Sequence, residues 1–113
     1  MKSYTSLEQA KKLAEFLPIE SADMRFCFSH TLGGRITGHY PMIGREPSLG
    51  TIPCWSLGAL FSMLPKSACL EKGSSTELCR VTLPVELISS DWNLEPVDAC
   101  VAMIEKLHEQ KLL

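Results

Sequence analysis

The chain reads as an α+β domain: three helices and a three- to four-stranded, mostly antiparallel sheet, in the order α-β-β-α-β-(β)-α. Three observations predict it. Apolar residues recur at helical spacing in three separate stretches, residues 7–17, 57–64 and 97–107. Between those stretches the period drops to two, at residues 24–30 and 76–83. Turn signals separate the pieces, with Gly33-Gly34 in the first half and Gly73-Ser74-Ser75 in the second. No internal repeat, low-complexity tract or linker divides the chain, so residues 1–113 are expected to form a single domain.

The first helix spans residues 5–17. Thr5 with Glu8, or Ser6 with Gln9, has capping-box spacing. Leu7, Ala10, Leu13, Ala14 and Leu17 form its apolar stripe. Glu8–Lys12 and Lys11–Glu15 are opposite charges four apart on its wet side, and Pro18 ends it. Residues 24–30 form a half-buried strand in which Met24, Phe26, Phe28 and His30 alternate with Arg25, Cys27 and Ser29. Gly33-Gly34 turns the chain back into Arg35–Tyr40, a second strand that Pro41 ends. Residues 41–51 hold two glycines and two prolines without periodicity, and are the first candidate for a binding loop.

Ile52–Pro65 is the most apolar run and is expected to supply a central buried helix. Leu57, Leu60, Phe61 and Leu64 share one face. Ser56 suits the N-cap and Trp55 with Leu60 a hydrophobic staple, with Thr51 as an earlier cap. Pro65 is the stop. Residues 66–75 look irregular. Cys79, Val81 and Leu83 mark one face of a third strand over 76–83, and Val85–Ser89 is a fourth strand or a continuation after Pro84. The last helix starts near Asp91–Pro96, with Asn93 or Glu95 as N-cap and Pro96 in the first turn. Val97, Cys100, Val101, Ile104 and Leu107 are its buried stripe.

A chain of 113 residues can bury a real core without staples, and its 45% hydrophobic and 21% charged residues are ordinary for a globular protein. The formal net charge of −2 lacks the electrostatic footprint of a duplex nucleic-acid binder. The first residues carry no continuous apolar core of a signal peptide, and no apolar run approaches the length of a membrane span. A cytoplasmic protein with no membrane partner is therefore expected. Five widely spaced cysteines without a C-x-x-C pair fit a reducing compartment and act most simply as small buried hydrophobes.

Pro53-Cys54-Trp55-Ser56-Leu57, ending in Met63-Leu64-Pro65, resembles a signature of small uncharacterised proteins. These are encoded in prophage-like and mobile-element clusters of Bacteroides and related gut bacteria. Their pattern is a Pro-x-Trp-Ser-Leu helix ending in Leu-Pro, then one or two strands and a C-terminal helix. The resemblance covers residues 52–113. It implies a fold and a bacterial, mobile-element setting. It implies no activity, and no catalytic residue carries over.

Two constellations could carry chemistry. Cys27-x-x-His30 with His39, and Cys54 as a fourth ligand, has metal-like spacing. On a strand, however, residues three apart point to opposite faces, so no metal or cofactor is expected. Cys54 with His30 or His39 is a formal nucleophile–base pair, and a thiol at a helix start would have its pKa lowered by the dipole. No nucleophile-elbow motif surrounds it, so no catalytic residue is assigned. Arg25, Arg35 and Arg45 beside Phe26, Phe28 and Tyr40 suggest a stacking surface for single strands, but strand alternation turns Phe26 and Phe28 away from Arg25. The acidic residues Glu86, Asp91, Glu95 and Asp98 suit the last helix's N-terminus through its dipole alone. The candidate binding residues are His30, His39, Arg45 and Cys54. The leading expectation is a non-enzymatic protein-interaction or regulatory accessory domain. Its partner is another protein or a second copy, reached through an open sheet edge. The alternatives are a small enzyme or ligand binder built on the Cys/His group, and a nucleic-acid accessory protein.

Overall fold

The computed structural model describes residues 2–30, 36–43, 52–73, 77–84 and 87–112. The elements are α1 (Leu7–Leu13), a 3-10 turn (Ile19–Ser21), β1 (Met24–His30), β2 (Ile36–Ile43), β3 (Ile52–Cys54), α2 (Leu57–Ser62), β4 (Cys69–Lys72), β5 (Cys79–Leu83), β6 (Ile88–Ser89) and α3 (Pro96–Glu109). The class is α+β with antiparallel pairing throughout the described strands. The described strands divide into two three-stranded sheets, β2-β1-β3 and β4-β5-β6.

The division follows from two segments that differ from expectation. Ile52–Pro65 is not one helix: its first residues are β3, which pairs Cys54 with Met24 and Pro53 with Arg25. A residue before proline favours extended backbone, and Ile52 obeys that rule. Cys69–Lys72, inside the stretch that looked irregular, pairs with β5 and so founds the second sheet. β2 also runs past its expected end: Pro41 lies within it, opposite Phe26. Residues 44–51 lie outside the described residues, as do 31–35, 74–76 and 85–86.

Of the two capping boxes the sequence offers for the first helix, the structure takes the second. Ser6 caps α1, accepting from Gln9 N–H while the Gln9 side chain accepts from Ser6 N–H, a complete capping box. Thr5, the competing cap, is instead fully buried: its Oγ1 accepts from Trp55 N–H at 3.2 Å and its N–H donates to Trp55 O at 2.9 Å. Ser56 caps α2 by accepting from Ala59 N–H at 3.2 Å. Asp23 in turn accepts from Ser56 N–H at 2.9 Å and from its hydroxyl. The expected ion pairs along α1 give way to a link between helices, Lys12 Nζ to Glu105 Oε2 at 3.1 Å.

α3, not α2, is the centre of the core. Pro96, Val97, Ala99, Cys100, Val101, Met103, Ile104 and Leu107 are all buried along it, whereas α2 buries only Leu60. α3 packs against β5 and α2, and α1 against β3. Pro96 opens α3, and no side chain caps it. The Glu95 carboxylate turns instead to the N-terminal segment and accepts from Lys2 N–H at 2.9 Å. Lys2 Nζ donates to Asp98 Oδ1 at 2.7 Å and to Gln9 Oε1 at 2.8 Å, and Gln9 Nε2 donates to Asp98 at 2.8 Å. Burial alone would push the Asp98 carboxyl up. The Lys2 and Gln9 hydrogen bonds and the lysine charge outweigh burial and hold it below its ordinary 3.8.

Two outcomes follow for stability. Ser56→Ala removes the α2 cap and one Asp23 partner, and should cost about 1–2 kcal/mol in urea unfolding with an unchanged slope. Asp98 binds its proton less readily folded than unfolded. Its contribution is therefore full above the ordinary carboxylate value and fades as pH falls through the lower folded value. Asp98→Asn should lose stability near neutrality and flatten the acid slope below about pH 4. Thermal unfolding across pH reads both, and an unaltered slope would refute the linkage.

Candidate functional site

The hairpin histidines are placed by backbone register. β1 pairs Phe28 with His39 and His30 with Ile36, with a shift between Ser29 and His30. His30 and His39 are therefore not direct partners across the hairpin. Arg45 lies outside the described residues. Cys54 ends β3 and is fully buried. Its Sγ lies 3.5 Å from Thr5 Oγ1 and 3.8 Å from Thr5 O. Because it sits on a strand, the helix-start argument for a lowered thiol pKa fails. Burial pushes the thiol up, the Asp23 charge adds to that, and the Thr5 hydrogen bonds only partly oppose it. Burial likewise raises Cys79, and lifts Cys100 to about 11 with the Cys79 charge adding to it. Among the described residues no three of His, Cys, Asp and Glu gather as a metal site. No helix among them is long and apolar enough to cross a membrane.

Polar groups converge instead where the 3-10 turn meets α2. The Trp55 indole, itself fully buried, donates from Nε1 to Ser21 Oγ at 2.9 Å, and Ser21 Oγ donates to Pro18 O at 2.6 Å. Beside this seam an open groove of about 450 Å³ is lined by Glu20, Ser21, Asp23, Gly58, Ala59, Ser62 and Met63. Its hydroxyls and the Asp23 carboxylate are already engaged with the protein: Ser62 Oγ donates to Gly58 O at 2.8 Å, and Asp23 holds Ser56. The groove therefore reads as a surface depression with satisfied walls.

The second sheet is different. On its outer side Arg80 lies over the Trp92 ring, its guanidinium carbon 4.5 Å from the ring centroid, and donates to Glu71 Oε2 at 3.0 Å. Trp92 is held there because Asn93 exchanges backbone hydrogen bonds with Cys79 at 2.7 Å. Around this sheet lie large exposed apolar side chains: Leu70 on β4, Leu87 before β6, and Trp92 and Leu94 before α3. Leu87 is 90% exposed and has a left-handed φ of 58°. The sequence paired its arginines with hairpin aromatics and missed Arg80–Trp92. Residues 80 and 92 belong to no common period, and only the β5–Asn93 bridge brings them together.

No protein-family model, no curated protein and no solved structure matches this chain.

The thiols give a direct check on this geometry. Cys69 is exposed, while Cys54, Cys79 and Cys100 are buried. A chromogenic thiol reagent should modify Cys69 in the native protein and reach the three buried thiols only on unfolding. Labelling of Cys54 as fast as Cys69 would restore it as a nucleophile.

Proposed function

We propose that this domain is a non-enzymatic protein-interaction module of the accessory or regulatory kind. The observation that supports it is the concentration of exposed apolar side chains on one segment. Leu70, Leu87, Trp92 and Leu94 are exposed at 39, 90, 42 and 72% within the stretch from β4 to α3. Single exposed leucines are ordinary, but grouped around one sheet they suit a contact that excludes water. Trp92 with its stacked Arg80 adds the two residue types that most often anchor such contacts. The mobile-element setting rests on the resemblance of Pro53–Leu57 and its following elements. A Cys/His enzyme is the weaker reading, because Cys54 spends its thiol on Thr5 inside the core.

Two measurements test the proposal. One is sedimentation of the pure protein, and the other is binding to proteins encoded beside its gene. Saturable association is expected in at least one of them. Leu94→Asp, at an exposed position, should weaken binding to such a neighbouring protein about tenfold or more with thermal stability unchanged. A strict monomer that binds none of these proteins would overturn the proposal.

A further inference from the structure

Among the described residues four strands lie at sheet edges: β2, β3, β4 and β6. Three of them are blunted. β2 carries Pro41, which cannot donate to a ladder. β3 carries Pro53, and the residues that follow it bond Ser3 and Thr5. β6 is two residues long and is preceded by the left-handed Leu87. β4, Cys69–Lys72, has no proline, and no register shift interrupts its pairing with β5. Among the described residues nothing pairs with its far side.

The direction of its free groups follows from the ladder. Cys79 exchanges backbone bonds with Asn93, and Val81 O accepts from Ser90 N–H, so these residues face away from β4. Arg80 and Thr82 then face β4, opposite Glu71 and Cys69. Leu70 and Lys72 are left with N–H and C=O pointing outward. The side chains alternate the other way. Leu70 lies opposite Val81, on the face that α3 covers, yet it remains 39% exposed while Val81 is fully buried. The apolar row thus stops one residue short of cover.

We infer that β4 is a self-pairing edge, where two copies of this chain join antiparallel about a two-fold axis centred on Leu70. This rests on the interaction-module reading and names one partner, a second copy held at the β4 edge rather than at Trp92 and Leu94. Continuous pairing about such an axis sets residues of like face opposite one another, which leaves few registers. Centring on Glu71 sets that carboxylate against itself. Centring on Leu70 sets leucine against leucine and continues the row from Val81 through both Leu70 side chains to the second copy's Val81. Each Leu70 N–H donates to the other copy's Leu70 carbonyl, and each Lys72 N–H to the other copy's Ala68 carbonyl. Cys69 then lies beside the second copy's Glu71. The two Cys69 residues fall on a diagonal, with Cα atoms about 7–8 Å apart.

The edge is short, so association is expected to be weak and is measured at high protein concentration. Sedimentation equilibrium should show a dimer. A short bismaleimide should link Cys69 to Cys69, with the link kept in Cys27→Ser and lost in Cys69→Ser. Leu70→Pro removes the outward donor and the central leucine but none of the β5 ladder bonds, so it should give a folded monomer with no link. If circular dichroism shows that this variant does not fold, hydrogen exchange of the wild type decides. The Leu70 and Lys72 amides should slow with rising concentration, and no concentration dependence overturns the pairing. A dimer that neither links through Cys69 nor yields to Leu70→Pro overturns the β4 edge and leaves self-association standing. A strict monomer that still binds another protein overturns the second copy and leaves the interaction module standing.

Discussion

A helix with apolar side chains over most of its circumference has to be covered from more than one side, and α3 is such a helix. It buries residues from Pro96 to Leu107 and is met by β5 on one side and α2 on another. Polar contacts fix its position without competing for that surface. Lys106 Nζ donates to Ser89 O at 2.8 Å, and His108 stacks on Phe16 with ring centroids 3.9 Å apart. Small sheets are marginal unless a helix covers one face. The second sheet is therefore a dependant of α3, and its exposed outer side, with Arg80 and Trp92, is what remains after that debt is met.

The first sheet is joined to the rest by a polar seam around Trp55. A fully buried indole N–H must find an acceptor, and it finds Ser21. Trp55's backbone N–H and C=O both bond Thr5, and its neighbour Ser56 bonds Asp23. Leaving one of these groups unpaired would cost about 1–3 kcal/mol. The seam therefore specifies how the N-terminal segment, the 3-10 turn and β3 meet, while the surrounding apolar burial supplies the driving force.

Much of this could be read in the sequence, and the failures have physical causes. The capping residues Ser6 and Ser56, the alternation of Cys79, Val81 and Leu83, and the stripe on α3 are local patterns, and local patterns survive folding. Ile52–Cys54 shows no strand signature of its own, and an apolar run of that length fits either state, which left Thr51 open as an earlier helix cap. Pairing with β1 decided it, and pairing is not visible in one segment. Cys69–Lys72 was missed because its exposed pattern lacks the signature of a half-buried strand. The candidate site fared similarly. Cys54 was singled out by residue type, but only its burial against Thr5 shows that it is a core thiol. The exposed leucines drew no attention, because exposure is a property of the assembled fold.

The clasp at Lys2 bears on how the chain is made. Lys2 and Asp98 are 96 positions apart, and Thr5 and Trp55 are 50. As synthesis proceeds from the N-terminus, Lys2 and Thr5 emerge long before the groups that will hold them. α3, the last described helix to be made, is also the one that the N-terminal segment docks on. Contacts of such separation make folding slow, since the chain loses loop entropy before it gains burial. On the ribosome Lys2 and Thr5 should therefore stay undocked until Trp55 and α3 have emerged.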